Sequence, residues 1–419
     1  MVENEGVALR AIQWSAILPW LSIVKSFRLA VTLRLMTFGA VAVLLTLLGW
    51  WTLAEIFSHG GDLNSSWSSA FGNQSAWQVI DRTVPSRPFA RDILPYASGL
   101  DIHDWGPIRT WAVLSQPVWL LLSIQPATAG ESLTFRDFLS LLLSSVWSLA
   151  VWAYFGAAIS RVAAVQLATG EQVGWTASLR WAGAKWLAYF SAPLLPMLGV
   201  ALVVLPILVL GLLMKISFVA ILAALIWPLV LVAGFVMTIL LAGVLLGWPL
   251  MWATISVEGT DSFDALNRTY AYVFQRPIRY FFYVIVAALI GWLGWFVVEN
   301  FAASVIWLAS WAAGWGLGQS SLAPAATSLI AFWGGWVKLL AIGYSFSYFG
   351  VASTAIYFLL RRDVDARETD EVFLDADTSE EKFGLPKLQR DAAGAPEIVE
   401  NAAADVGSSD GKVKDAPNA

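Results

Sequence analysis

Long apolar blocks separated by short basic loops set the character of this chain. The blocks fall at about 36–57, 138–160, 186–212, 216–253, 280–298 and 328–360. Each matches or exceeds the roughly 20 residues that a helix needs to cross about 30 Å of hydrocarbon. The pattern predicts an all-α polytopic transmembrane helix bundle of about six spans. The block 216–253 is over-long and contains Pro228 and Pro249, which predicts a kinked or tilted helix, with Lys215 at the turn before it. The first block begins only after Arg34 and has no small-residue cleavage site before the polar loop, so it reads as a retained signal anchor.

Between and around these blocks the pattern changes. Residues 1–35 form an N-terminal segment in which Leu18, Leu21, Val24 and Phe27 alternate with Lys25, Arg28 and Arg34, interrupted by Pro19. That mixture predicts a helix lying in the membrane surface. Residues 58–136 are rich in Ser, Asn, Asp and Pro and form one long outer loop. Within it the apolar patch Trp111–Ile124, broken by Pro117, reads as an interfacial helix. The patterns of 107–124 and of the Gly/Ala/Trp-rich 300–325 leave interfacial, re-entrant and spanning placements open. The transmembrane domain thus occupies 36–362, and 363–419 has an acidic, low-hydrophobicity composition that predicts disorder.

Composition supports the pattern: 58% of the 419 residues are hydrophobic, 13% are charged and 24 are Trp, which excludes a large soluble globule. The net charge of −5 is concentrated at the C-terminal end, where residues 361–419 hold 15 acids against 8 bases. No clustered basic surface with stacking aromatics marks a nucleic-acid site. The absence of cysteine excludes disulfides, thiolate metal sites and cysteine nucleophiles.

Charge also orients the chain. With six spans, Lys25/Arg28/Arg34, Arg161/Arg180/Lys185, Arg268/Arg276/Arg279 and Arg361/Arg362/Arg367 all fall on one side. By the positive-inside rule that side is cytoplasmic, both termini included, as in a multi-pass protein of a bacterial inner membrane.

The two inner loops share a pattern. Ala177-Ser178-Leu179-Arg180 leads through Trp181 and Lys185 to Tyr189-Phe190, and Ala265-Leu266-Asn267-Arg268 leads through Tyr270 and Arg279 to Tyr280-Phe281. Each loop opens on a glycine beside an acid, Gly170-Glu171 and Glu258-Gly259. In the second, Phe263, Leu266, Tyr270 and Val273 recur at helical spacing, with Asp261 able to cap the start and Pro277 ending it. This predicts an amphipathic surface helix in each loop. The units fit either a parallel repeat, as in some transporters, or independent acquisition of the same basic loop. Through Glu258-Gly259, Ala265, Arg268, Tyr270, Phe274, Arg276 and Pro277, residues 135–362 resemble uncharacterised polytopic bacterial membrane proteins, planctomycete ones among them. The pattern is also similar to the membrane domain attached to some glycerophosphodiester phosphodiesterases. The resemblance implies a fold and a membrane location, and no catalytic domain or residue of that family is carried over.

Candidate chemistry is sparse. His59 and His103, with Asp62, Asp101 and Asp104, lack the spacing of a metal site, and no cofactor motif occurs. Ionisable residues at span ends stand out because charge within lipid is costly. Glu55, Lys215, Glu299 and Lys338 are expected at the outer boundary, as an ionic collar fixing helix packing or as part of a transport pathway. Arg180, Lys185, Arg268, Arg276 and Arg279 form an inner basic surface suited to anionic lipid headgroups, each surface cation contributing about 1 kcal/mol. The expected partners are the bilayer, anionic headgroups or other membrane proteins, with no nucleic acid. These features point to a non-catalytic scaffold or lipid-associated factor, with a small transporter or channel as the alternative and an enzyme acting at the outer loop as the remote one.

Overall fold

A computed structural model describes residues 18–58, 76–88, 110–114, 135–318, 322–367, 371–373, 387–390 and 396–399. Two units result, Met1–Val372 and Phe373–Ala419. In the first, a 3-10 turn Pro19–Leu21 leads into α1 (Ser22–Ala30) and α2 (Leu33–Ser58), followed by the short α3 (Ala76–Thr83). Then come α4 (Phe135–Thr169), α5 (Trp175–Leu213), α6 (Ser217–Leu225), α7 (Trp227–Glu258), α8 (Ser262–Gln275), α9 (Pro277–Leu317) and α10 (Pro324–Asp365). Six of these, α2, α4, α5, α7, α9 and α10, are long and apolar enough to cross a membrane. The protein is an all-α, multi-pass membrane bundle.

The helices break where local chemistry requires it. Gly170 and Gly259, one in each basic loop, take left-handed backbone angles (φ 75° and 67°) that end α4 and α7. The over-long fourth block is split: α6 ends at Leu225 with Ile226 as its cap, and Pro228 occupies the first turn of α7, where its missing N–H is harmless. Segment 300–317 continues α9 without interruption, so it is neither re-entrant nor an extra span; α9 is one helix of 41 residues, about 61 Å long.

The two basic loops differ. In the second, the Asp261 side chain accepts from the Asp264 N–H and caps the amphipathic α8, and Pro277 starts a new helix. The first contains no separate surface helix, because 175–190 is the opening of α5 itself. The tyrosine pairs explain the difference. Pro277 stands three residues before Tyr280, whereas the matching place before Tyr189 holds Trp186, which a helix interior accepts.

α10 is the axis of the bundle. From Val351 to Arg361 every residue is buried, and it packs on α1, α2, α4, α7 and α9. Backbone-close packing occurs at Gly39 of α2 and Gly343 of α10, where a β-carbon on either would overlap the other helix. α1 was expected on the membrane surface, yet its apolar face meets protein. Ile23, Leu29 and Ala30 are buried, Phe27 lies edge-on to Tyr344, Trp20 meets Phe282, and the Ser347 hydroxyl donates to the Ala30 carbonyl. In the second unit, Lys387–Arg390 pairs antiparallel with Pro396–Val399, with Leu388 opposite Ile398. The disorder expected of the tail does not hold for these eight residues, where strand-prone Leu388, Ile398 and Val399 flank a short Asp-Ala-Ala-Gly-Ala connection.

Candidate functional site

Two features concentrate side-chain chemistry, and both are organised by α7. The first is a polar cluster where α7 ends among the basic loops. Glu258, its side chain 11% exposed, accepts from Arg361 Nη1 at 3.0 Å, from the Tyr357 hydroxyl at 3.2 Å and from Arg367 at 3.4 Å, with Arg268 at 3.8 Å. Arg361 is 2% exposed and also donates to the Glu371 carbonyl. Beside it, Arg161 donates to the Ser256 carbonyl and stacks on the Trp181 ring at 3.8 Å. Tyr189 and Ser256 hydroxyls lie 2.7 Å apart, and Lys185 donates to the Gly259 carbonyl. Cations thus gather on the carboxyl end of α7, where unsatisfied carbonyls and the helix dipole favour them.

Burial lowers the Arg268 guanidinium's pKa, but the hydrogen bond and charge of Asp264 and the charge of Glu258 more than offset this, so it lies above the usual arginine value. Tyr270, half-buried in α8 with its hydroxyl on the Leu240 carbonyl, is pushed up to about 12 by desolvation. Tyr272 is raised further, by burial and then by its hydrogen bond to Asp365.

The second feature is a pair of apolar grooves flanking α7 at Pro249. Because Pro249 has no N–H, the Leu245 carbonyl loses its helical partner. The indole of Trp111 donates to it at 3.0 Å, and the Tyr280 hydroxyl donates to the next carbonyl, Leu246, at 2.5 Å. The same device recurs on α5: Pro193 frees the Tyr189 carbonyl, and Trp252 donates to it at 2.9 Å. The carbonyls freed by Pro249 and Pro193 are therefore satisfied by aromatic donors, which leaves the surrounding surface apolar.

One groove, of about 150 Å³, runs between α4, α5 and α7 along Val146, Trp152, Met197, Val244 and Trp248. The other, of about 230 Å³, lies between α7, α9 and α10 along Trp111, Pro249, Phe281, Ala288, Phe349 and Ile356. Both are half-open at the bundle surface, where Val146 and Phe281 are exposed at the rims. Residues 110–114, part of the predicted interfacial patch, form a helical turn inside the bundle. Thr110 is buried and donates to the Ser345 hydroxyl, while Trp111 and Leu114 line the grooves. These five residues pack against protein; the rest of the patch lies outside the described residues.

The structure brings together only part of the predicted sites. The four collar residues do not form a collar. Lys338 is buried and pairs with Asp81, not with Glu55 or Glu299, at 2.7 Å. Lys215 is exposed at the turn before α6 and forms no ion pair among the described residues; Glu55 is exposed and Glu299 buried. Of the predicted headgroup contacts, Lys185, Arg268 and Arg279 engage Gly259, Asp264 with Glu258, and Asp363, respectively. Arg180 and Arg276 stay exposed, with no ion pair among the described residues. His59, His103, Asp62, Asp101 and Asp104 lie outside the described residues. Sequence reasoning missed Trp111, Asp81 and Tyr280 as structural donors and acceptors. The signal that could have found Trp111 is an unpaired proline carbonyl in a span, which calls for an external donor. Among known proteins, no family model, no curated protein and no solved structure matches the chain.

Proposed function

We propose that this protein is a non-catalytic, lipid-associated membrane protein that holds acyl chains in the two grooves beside α7. The observation that carries this reading is their lining: apolar walls, half-open at the bundle surface, beside a proline whose neighbouring carbonyls are already satisfied by Trp111 and Tyr280. Apolar cavities of about 150 Å³ stay dry and accept apolar guests. Lipid tails are the apolar molecules always present at such a rim. The exposed Arg180 and Arg276 supply cations for an anionic headgroup at the basic end, which in this reading faces the cytoplasm.

Filling the grooves tests it. Native mass spectrometry of the detergent-purified chain is expected to show retained lipid on the wild type. Ala288→Phe and Val146→Trp should each reduce retention while leaving the thermal transition in place. Equal lipid retention in all three proteins would overturn the reading.

A further inference from the structure

Lys338 lies deeper than its place in the sequence suggests. α2 and α10 run antiparallel, since Ser347 meets Ala30 while Gly343 meets Met36 and Gly39. Five residues from Gly343 on α10, Lys338 therefore stands level with Leu44 on α2. Leu44 is ten residues past Arg34 and eleven before Glu55, about 15 Å from each of the charges that bound the apolar run of α2. Beyond Lys338, α10 continues for fourteen residues to Pro324 with Leu329, Ile330 and Trp333 exposed, and α9 carries exposed Phe301, Trp311 and Trp315 past Glu299. If Lys338 marked the membrane boundary, two long apolar helix ends would stand in water, against the cost of exposing apolar surface.

All three donors of the Lys338 ammonium are taken by one segment of the loop between α2 and α4. They go to the Asp81 carboxylate at 2.7 Å, the Asp81 carbonyl at 3.3 Å and the Ser86 hydroxyl at 2.9 Å. That segment is seated by Trp77, which stacks on Phe332 and fits against Gly335, and by the buried Ile80 and Val84. The lysine side chain is 4% exposed, whereas the Asp81 side chain is 73% exposed. An exposed carboxylate at this depth is disfavoured against hydrocarbon and favoured by contact with water.

We propose that a water-filled recess enters the bundle from the end opposite the basic loops and ends at mid-membrane on Lys338. Asp81 is there the intramolecular occupant of a site for a small carboxylate. The buried ammonium supplies the charge, Ser86 a hydroxyl, and the exposure of Asp81 the route of entry. This reading is independent of acyl-chain binding on α7, which lies beside other faces of the bundle.

Chemical rescue tests it. In the purified full-length chain, Asp81→Ala should lower the thermal midpoint, and sodium acetate should restore several degrees that sodium chloride of equal ionic strength does not. Wild type and the Asp81→Ala/Lys338→Met double variant should show no acetate preference. Absence of an acetate preference in Asp81→Ala would overturn the site. Should that variant not fold, a single cysteine at Gln78, exposed one turn earlier on α3, keeps the recess testable on this cysteine-free background. In vesicles it should react with a charged, impermeant maleimide, and no reaction overturns the recess.

Discussion

The Glu258–Arg361 pair gives the sharpest energetic prediction, because its two partners are not equivalent. Arg361 is 2% exposed and sits at the end of the fully buried stretch of α10. A second carboxylate, that of Glu371, lies 3.5 Å away on a side chain that is 61% exposed. Removing Glu258 strips a buried guanidinium of its main counter-charge, a loss of about 3–5 kcal/mol. Removing Arg361 instead leaves Glu258 with Arg367 at 3.4 Å and Arg268 at 3.8 Å, so the carboxylate stays compensated and the loss falls to about 1–2 kcal/mol. Glu258→Gln should therefore destabilise the fold more than Arg361→Met, and the double variant should cost less than the sum of the two. Reversible unfolding in mixed micelles, followed by tryptophan fluorescence, completes the double-mutant cycle. Equal losses below about 1 kcal/mol for both single variants would refute the reasoning.

Other consequences follow from single contacts. Trp111→Phe removes the donor from the carbonyl freed by Pro249 and should cost about 1 kcal/mol; in a Pro249→Ala background, where the helix supplies its own donor, unfolding should show a smaller loss. Gly343→Ala drives a methyl into the Met36 and Ala40 backbone and should cost about 3 kcal/mol, seen as a lower thermal midpoint, whereas Gly334→Ala, which meets open space, should be near neutral. Because the Tyr270 hydroxyl is held protonated up to about pH 12 in the folded state, against 10 for an ordinary tyrosine, its stabilisation is fully present below pH 10. It is lost as pH rises toward 12. Tyr270→Phe should flatten that part of the thermal-midpoint profile, and an unchanged slope would contradict the assignment.

The six crossings and the break at Gly259 were legible because length, charge and glycine act locally. Pro277 likewise announced the boundary between α8 and α9, and Asp261 its cap. What stayed hidden depends on distance in sequence. Lys338 finds Asp81 across 257 residues, and Trp111 finds Leu245 across 134; no periodicity reports such pairings. The collar expectation took Glu299 and Lys338 as the ends of their apolar blocks, but α9 and α10 continue as apolar helix beyond both residues, so neither charge marks where the apolar length stops. α1 misled for a related reason. Its amphipathic face has the same pattern whether the apolar partner is lipid or, as here, Tyr344 and Gly294.

The claim that α7 holds lipid tails is tested most directly by photolabelling the full-length chain in vesicles with a phospholipid that carries a diazirine in its acyl chain. The account predicts adducts concentrated at groove residues such as Val244, Phe281 and Phe349, and their loss in Ala288→Phe for the α9 side. Adducts spread along the exposed outer lengths of α5, α6 and α9, with none in the grooves, would contradict it.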